Sequence, residues 1–263
     1  MTAQTLEPRV SPATAVRNTA TLAWRTLVQI KHNPFELLDF SVQPIMFLVL
    51  FTYVFGGAIA GSTGDYLTYG LPGIIVQNML FATLNTGVGL NTDISKGVFD
   101  RLRSLPISRW SPLAGRIVAD MVKQAWAIAL LLGVGMLLGF RIGTGPVAVF
   151  GTFALLLLVG FAASWMSVLV AMLVSAPEKV QIFGFVLLFP LTFASNAFAP
   201  TASMPGWLQA WVKVNPVTIL ADAVRGLLSG GPVATPVTQS LVWAAVLLAV
   251  FAPLSVWAFR RRV

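Results

Sequence analysis

An all-α integral membrane protein with six transmembrane helices is the fold class this sequence predicts, and three observations predict it. Of 263 residues, 57% are hydrophobic and 10% charged, with a mean hydropathy of +0.82; a soluble domain carries roughly a quarter charged residues. Six apolar stretches, at about 38–57, 67–90, 117–138, 147–174, 180–199 and 237–259, reach the roughly 20 residues that a helix needs to cross a bilayer core. The basic residues then segregate. With both termini and the loops after the second and fourth spans on one face, that face receives fourteen Lys and Arg, and the other receives only Arg141, Lys213 and Arg225. By the positive-inside rule the rich face is cytoplasmic. The same rule accounts for the formal charge of +8 as topology, so no nucleic-acid partner is expected.

The whole chain, 1–263, reads as a single membrane domain. A flexible tail at 1–12 precedes a helical pattern at 13–33, in which Val16, Ala20, Ala23, Trp24 and Leu27 share one face and Asn18, Thr21, Arg25 and His32 the other. Pro34 ends that pattern. Trp at the edge of a basic amphipathic stripe predicts an interfacial helix lying on the cytoplasmic leaflet; packing against another cytosolic element is the competing reading. His32, beside Lys31 and Asn33, is expected to be a solvated interfacial histidine. No short apolar core with a small-residue cleavage site precedes the first span, so that span is expected to stay in the protein.

The six-span bundle covers 38–259, with a cytoplasmic loop at 91–123 and an outer loop at 200–236. The outer loop holds two helix-like pieces bounded by Pro and Gly, with Trp207, Trp211, Ile219, Leu220, Val224 and Leu227 making them partly apolar. They are expected to be partly re-entrant or to cap the bundle, with their ends satisfied by protein. No internal repeat is evident, which argues against an inverted-repeat secondary transporter.

Several chemistries are missing from the sequence. There is no G-x-x-x-x-G-K-[ST] phosphate loop and no G-x-S-x-G elbow, and one histidine with no cysteine excludes a His-rich or thiolate metal site. No catalytic residue and no metal site are therefore expected. Ionisable residues are expected only near the cytoplasmic span ends, at Asp39, Asp120 and Lys123, which leaves the span centres without proton- or sodium-coupling groups. Arg116 and Asp120 at i, i+4, with Lys123 three residues further on, predict a helix-surface ion cluster; a direct part in transport is the alternative.

The polar island at 91–123 holds six of the 17 basic residues: Lys96, Arg101, Arg103, Arg109, Arg116 and Lys123. Within it Val98, Phe99, Leu102 and Leu105 form an apolar edge at helical spacing while Asp100, Arg101 and Arg103 face away, and Pro106 ends the turn. A positive-inside loop needs charge but no apolar stripe, so the stripe points to a docking element.

The run Lys96-Gly-Val-Phe-Asp-Arg-Leu-Arg-Ser-Leu-Pro-Ile-Ser-Arg109, followed by Gly115-Arg116 and Ala119-Asp120, resembles the cytoplasmic loop of ABC-2 type exporter permeases, in particular the daunorubicin-resistance-like permeases of actinobacteria. The resemblance extends over essentially the whole chain, including the basic tail and the Asn215-Pro216 start of the second outer helix. It implies a type V exporter-like fold in the cytoplasmic membrane of a bacterium and a coupling helix that inserts into a separate ATPase. Phe99, Leu102 and Leu105 would be its apolar anchors, Pro106 its end, and Asp100, Arg101, Arg103 and Arg109 its orienting charges. The exporter would combine two ATPase subunits, which bind ATP and Mg, with two permeases, either identical or paralogous, in membrane lipid. No cofactor is expected in this chain.

Asn78 and Asn85 lie two turns apart on one face of the second span, with Gln77, Thr86 and Gly89 nearby. The fifth span carries Thr192, Ser195 and Asn196, and the first carries Gln43 and Thr52. Amides in lipid need partners, so these faces meet either protein or a water-filled path. The resemblance implies that the first, second and fifth spans surround the path, giving Gln43, Thr52, Asn78, Asn85, Phe189, Thr192, Phe193 and Asn196 as candidate lining. Interhelical hydrogen bonding is the competing reading for each. With Met79, Phe81 and Phe185 added, such a path suits a hydrophobic or amphiphilic drug, antibiotic or lipid. Two other classes stay open: a secondary transporter or passive channel working without ATP, and a lipid-modifying membrane enzyme.

Overall fold

A computed structural model describes residues 11–32, 34–98 and 111–262, and every regular element among them is helical. The expected coupling residues Phe99, Asp100, Arg101, Leu102, Arg103, Leu105, Pro106 and Arg109 lie outside the described residues, as does most of the expected tail.

α1 covers Pro12–His32. α2 covers Pro34–Leu50, runs on through one π turn at Phe51–Phe55, and closes with a short α turn at Gly56–Ala60. α3 is Thr63–Ser95, α4 Ser111–Leu137, α5 Pro146–Leu173 and α6 Pro177–Phe193. Residues 200–236 fold as α7, Gly206–Val214, and α8, Pro216–Ser229, before the closing α9, Ala234–Arg262.

Five stretches among the described residues are long and apolar enough to cross a membrane: Ser41–Ala60, Thr63–Ser95, Leu113–Leu137, Pro146–Leu173 and Ala234–Phe259. The predicted span at 180–199 is different. Its helix, α6, has 17 residues, roughly 25 Å at the α-helical rise against a hydrocarbon core of about 30 Å, and 194–200 are not helical. Local chemistry explains the early stop. Pro190 lacks an amide hydrogen, Ser195 Oγ donates to the carbonyl of Thr192, and the buried amide of Asn215 donates to the carbonyls of Leu191 and Ala194, each at 2.8 Å. Side chains have taken the acceptors that further helix would have used.

α3 is the axis of the bundle and touches α2, α4, α5, α6 and α8. Its midsection, with Ile74, Ile75, Val76 and Met79, joins Leu131 of α4, Leu156 of α5 and Leu220 and Val224 of α8 in the main apolar core. A second cluster, with Leu90, Leu113, Ile117, Val168 and Phe259, closes the end from which 96–110 depart. That end, called the loop end below, also holds α1 and the end of α9. Thr19, Leu22 and Ala23 of α1 lie against Gly115, and Arg262 donates to the carbonyl of Ala171. The predicted apolar face of α1 is thus divided: Ala23 is buried on α4, whereas Val16 and Trp24 stay exposed.

At the far end the two helix-like pieces of 200–236 are both helical. α8 is the more deeply seated, with Val217, Ile219, Leu220, Val224 and Leu228 buried against α3, α5 and α9. Asn215 caps it by accepting from the amide of Val217 at 2.8 Å while its amide nitrogen holds the end of α6. One side chain therefore fixes the outer loop to the short helix.

Candidate functional site: a groove with an aromatic wall and a charged wall

A groove of about 670 Å³ opens between α2, α3, α4 and α6. α6 supplies its aromatic wall. Phe185, Phe189 and Phe193 recur every four residues, so their rings stack one above another, with centroids 5.1 Å and 4.3 Å apart. The ladder continues past the end of the helix, because Phe198 stands 4.9 Å from Phe193 and 4.9 Å from Phe51 of α2, which stacks on Phe47 at 4.5 Å. Phe81 of α3 meets Phe185 edge-on at 5.8 Å. Such pairs are worth about 0.5–1.5 kcal/mol each beyond area, and their exposed faces offer the same contact to a planar ligand.

Facing the groove from α4 are Arg116, Asp120 and Lys123. Arg116 Nη1 donates to Asp93 Oδ2 of α3 at 2.8 Å. Looser contacts run along α4, from Arg116 Nε to Asp120 Oδ2 at 3.8 Å and from Asp120 Oδ1 to Lys123 Nζ at 3.7 Å. The expected helix-surface cluster is instead buried, with Asp120 and Lys123 at 5% and 7% exposure. Its depth also departs from the expectation. Gln124 Oε1 lies against Gly160, where an added Cβ would come within 2.5 Å of it and 2.9 Å of Met79 Sδ, and Gly160 and Met79 mark the midpoints of α5 and α3. Lys123, next to Gln124, is therefore level with the middle of the bundle. The apolar run of this span begins at Leu113, so the row of charges lies further into the bundle than the run's predicted start at 117 implied.

The floor is α3. Gln77, Asn78 and Asn85 line the groove, with Gln43 and Pro44 of α2 and Gln181 of α6 at its margins. Among the described residues no hydrogen bond engages the amides of Asn78 or Asn85, and both line the groove. Of the eight candidate lining residues, Gln43, Asn78, Asn85, Phe189 and Phe193 lie in the groove. The other three do not. Thr52 is buried in the π turn, Thr192 donates to the carbonyl of Leu188 at 2.7 Å within its own helix, and Asn196 Nδ2 is held by Asp222 Oδ1 at 2.9 Å. Thr86 and Met79 are also core residues.

Three features escaped sequence reasoning. Asp93 was not singled out, because its partner is Arg116, across the loop, and no helical spacing links them. Phe47 and Phe51 join the aromatic ladder only because Phe198, in the non-helical 194–200 that forms a roof beside Phe193, stands between Phe193 and Phe51. The third is a knot above that roof. Arg225 donates to the carbonyls of Tyr69 at 3.0 Å, Asn196 at 2.6 Å and Ala197 at 3.4 Å, and to Asp222 Oδ1 at 2.7 Å. Its guanidinium also lies 4.0 Å from the Tyr69 ring centroid, and Tyr69 Oη donates to the carbonyl of Asn196 at 2.8 Å. The i, i+3 spacing of Asp222 and Arg225 was the available sequence signal, but the count of outer charges treated Arg225 only as topology.

Apolar helices around a groove lined by rings, amides and ion pairs define a membrane transport subunit. Residues 17–228 match the ABC-2 type transporter family. The chain is 42% identical to the daunorubicin resistance ABC transporter permease protein of Streptomyces coeruleorubidus over 254 residues, 97% of this chain and 90% of that protein. It is 31% identical to a probable doxorubicin resistance ABC transporter permease protein of Mycobacterium tuberculosis over 240 residues, 90% of this chain and 86% of the other. A putative transport permease of Cyanophora paradoxa is 31% identical over 212 residues, 79% of this chain and 73% of that one. The chain belongs to the ABC-2 type transporter family and is a permease subunit of an ABC transporter.

Proposed function

We propose that this permease exports a hydrophobic or amphiphilic compound with a planar aromatic part, driven by ATP hydrolysis on a separate subunit. The observation that carries this reading is the run of stacked rings in the groove, Phe185, Phe189 and Phe193, opposite a row of charges. Rings and amides suit a polyaromatic amphiphile better than a sugar or an ion, and the relatives named for daunorubicin and doxorubicin resistance support that substrate class. Energy enters through a partner, because the sequence has no phosphate loop. In this reading the loop end is cytoplasmic, and 96–110 dock through Phe99, Leu102 and Leu105 onto an ATPase that binds ATP and Mg. α6 with 194–200 completes the sixth crossing, and α7 and α8 re-enter the outer leaflet. Two permeases and two ATPases assemble in the cytoplasmic membrane of a bacterium.

The test is co-expression with a cognate ABC ATPase subunit. The permease alone should hydrolyse no ATP, and the pair should co-purify and drive daunorubicin into inverted vesicles. Leu102→Asp should abolish co-purification; an ATPase still bound to that variant refutes the docking assignment.

A second reading has one observation in its favour. Asp120 and Lys123 reach mid-bundle depth, where ionisable groups often serve proton or ion coupling. Counterflow of daunorubicin in liposomes holding the permease alone, under a proton gradient and without ATP, would favour a secondary transporter.

A further inference from the structure

The two helices that carry the ends of the 96–110 loop are α3, which stops at Ser95, and α4, which starts at Ser111. Close to where the loop leaves and returns, one short ion pair joins these stems: Arg116 of α4 to Asp93 of α3 at 2.8 Å. The path of the arginine is specific. Its guanidinium lies against α3 at Gly89, where a Cβ would come within 1.4 Å of Nη2 and 2.1 Å of Cζ. Glycine inside a helix costs about 1 kcal/mol relative to alanine, and here its missing side chain is the slot that lets Arg116 reach Asp93.

Arg116 also belongs to the groove wall. Its Nε donates no hydrogen bond among the described residues and faces Asp120 Oδ2 at 3.8 Å, from which a 3.7 Å contact leads to Lys123 at mid-depth. One contact is short and the next two are long. A shift of the end of α3 against the start of α4 therefore acts first on the Asp93–Arg116 pair. Once that pair opens, the guanidinium has Asp120 as its next acceptor, and the charge facing the substrate is rearranged.

We infer that Arg116 is a positioning residue that couples the loop to the groove, held by Asp93 in the slot at Gly89 in one state and released toward Asp120 in the other. This rests on the proposal that the loop docks the ATPase. It assigns a task to an ion cluster at the middle of a membrane bundle, where buried charge is costly and needs an explanation.

The experiment uses the co-expressed permease and ATPase in proteoliposomes, with daunorubicin as the probe, and measures probe moved per ATP hydrolysed alongside co-purification of the ATPase. Arg116→Ala and Asp93→Ala should keep the ATPase bound while transport per ATP falls roughly tenfold, the factor expected for one charge-assisted hydrogen bond. Gly89→Leu should reproduce that loss with every charge intact, because it fills the slot. The exchange Asp93→Arg with Arg116→Asp should rejoin the two helix ends yet leave transport per ATP low, because a carboxylate at position 116 faces Asp120 with like charge and no guanidinium remains there to change partners; a purely structural pair predicts recovery instead. If Arg116→Ala disrupts assembly, Gly89→Leu and the exchange carry the test. Unchanged transport per ATP in Gly89→Leu, with Leu102→Asp releasing the ATPase, overturns this inference and leaves the docking proposal standing. Retention of the ATPase by Leu102→Asp removes both.

Discussion

Two arginines sit toward opposite ends of the bundle, and they are held very differently. Arg225, above the roof, donates four hydrogen bonds, three of them to backbone carbonyls, and lies over a tyrosine ring. Arg116, at the loop end, has one good acceptor and one near acceptor. A guanidinium bound to backbone carbonyls moves only if the chain itself moves, whereas one bound to a single carboxylate exchanges partners by rotating a side chain. The far end is therefore built as a fixed cap and the loop end as a contact able to change. If the far end opens during transport, 194–200 and α8 should move as one unit around Arg225.

The largest expected effect on this comparison comes from the roof. An added Cβ at Gly73 would lie 2.0 Å from the carbonyl oxygen of Ala197. The clash is backbone against backbone, which no rotamer relieves, so Gly73→Ala should destabilise the protein by about 3 kcal/mol. The measurement is thermal unfolding in detergent. A variant that melts with the parent shows that the roof yields readily, and the contrast between the two ends is lost.

Next in size are the arginines themselves. Arg225→Leu takes one donor from three carbonyls and from Asp222; because Asn196 still donates to Asp222, Tyr69 Oη still donates to the Asn196 carbonyl, and the Asp222 side chain is 44% exposed, about 2 kcal/mol of loss remains. Arg116→Leu removes a pair whose side chains are 20% and 34% exposed, and its effect on stability should be about 1 kcal/mol. Activity should rank the other way, with transport per ATP lost in Arg116→Leu and largely kept in whatever fraction of Arg225→Leu remains folded. Equal effects on both measurements would mean that both arginines are structural.

How much of this was legible in the sequence follows from which interactions are local. Helices set by composition and by Pro and Gly boundaries were readable, as were the phenylalanines of α6 at four-residue spacing and the row Arg116, Asp120, Lys123. The Asp93–Arg116 pair, the slot at Gly89 and the knot around Arg225 join residues far apart in the chain, and no periodicity reports them. The length of α6 was misread because hydropathy continues through Phe193, Ala194, Ala197 and Phe198 while side chains of Ser195 and Asn215 take the acceptors a helix needs. Hydropathy records which residues tolerate lipid, but not where the backbone finds its hydrogen bonds.

The smallest effect separates two asparagines on α3 that sequence alone cannot rank. Asn91 is fully buried, and its amide donates to the carbonyls of Ala171 at 2.8 Å and Val174 at 2.9 Å, closing the end of α5. Asn85 opens into the groove and donates to no described residue. Asn91→Ala should cost about 1.5 kcal/mol, since the carbonyl of Val174 loses its side-chain donor while that of Ala171 keeps Arg262. Asn85→Ala should stay within about 0.5 kcal/mol, as for an exposed site, and show itself in daunorubicin affinity instead. The pair is measured by unfolding and by probe titration on the same two variants. If Asn85→Ala destabilises as much as Asn91→Ala, its amide is bonded between helices after all, and the α3 floor belongs to the core and not to the path.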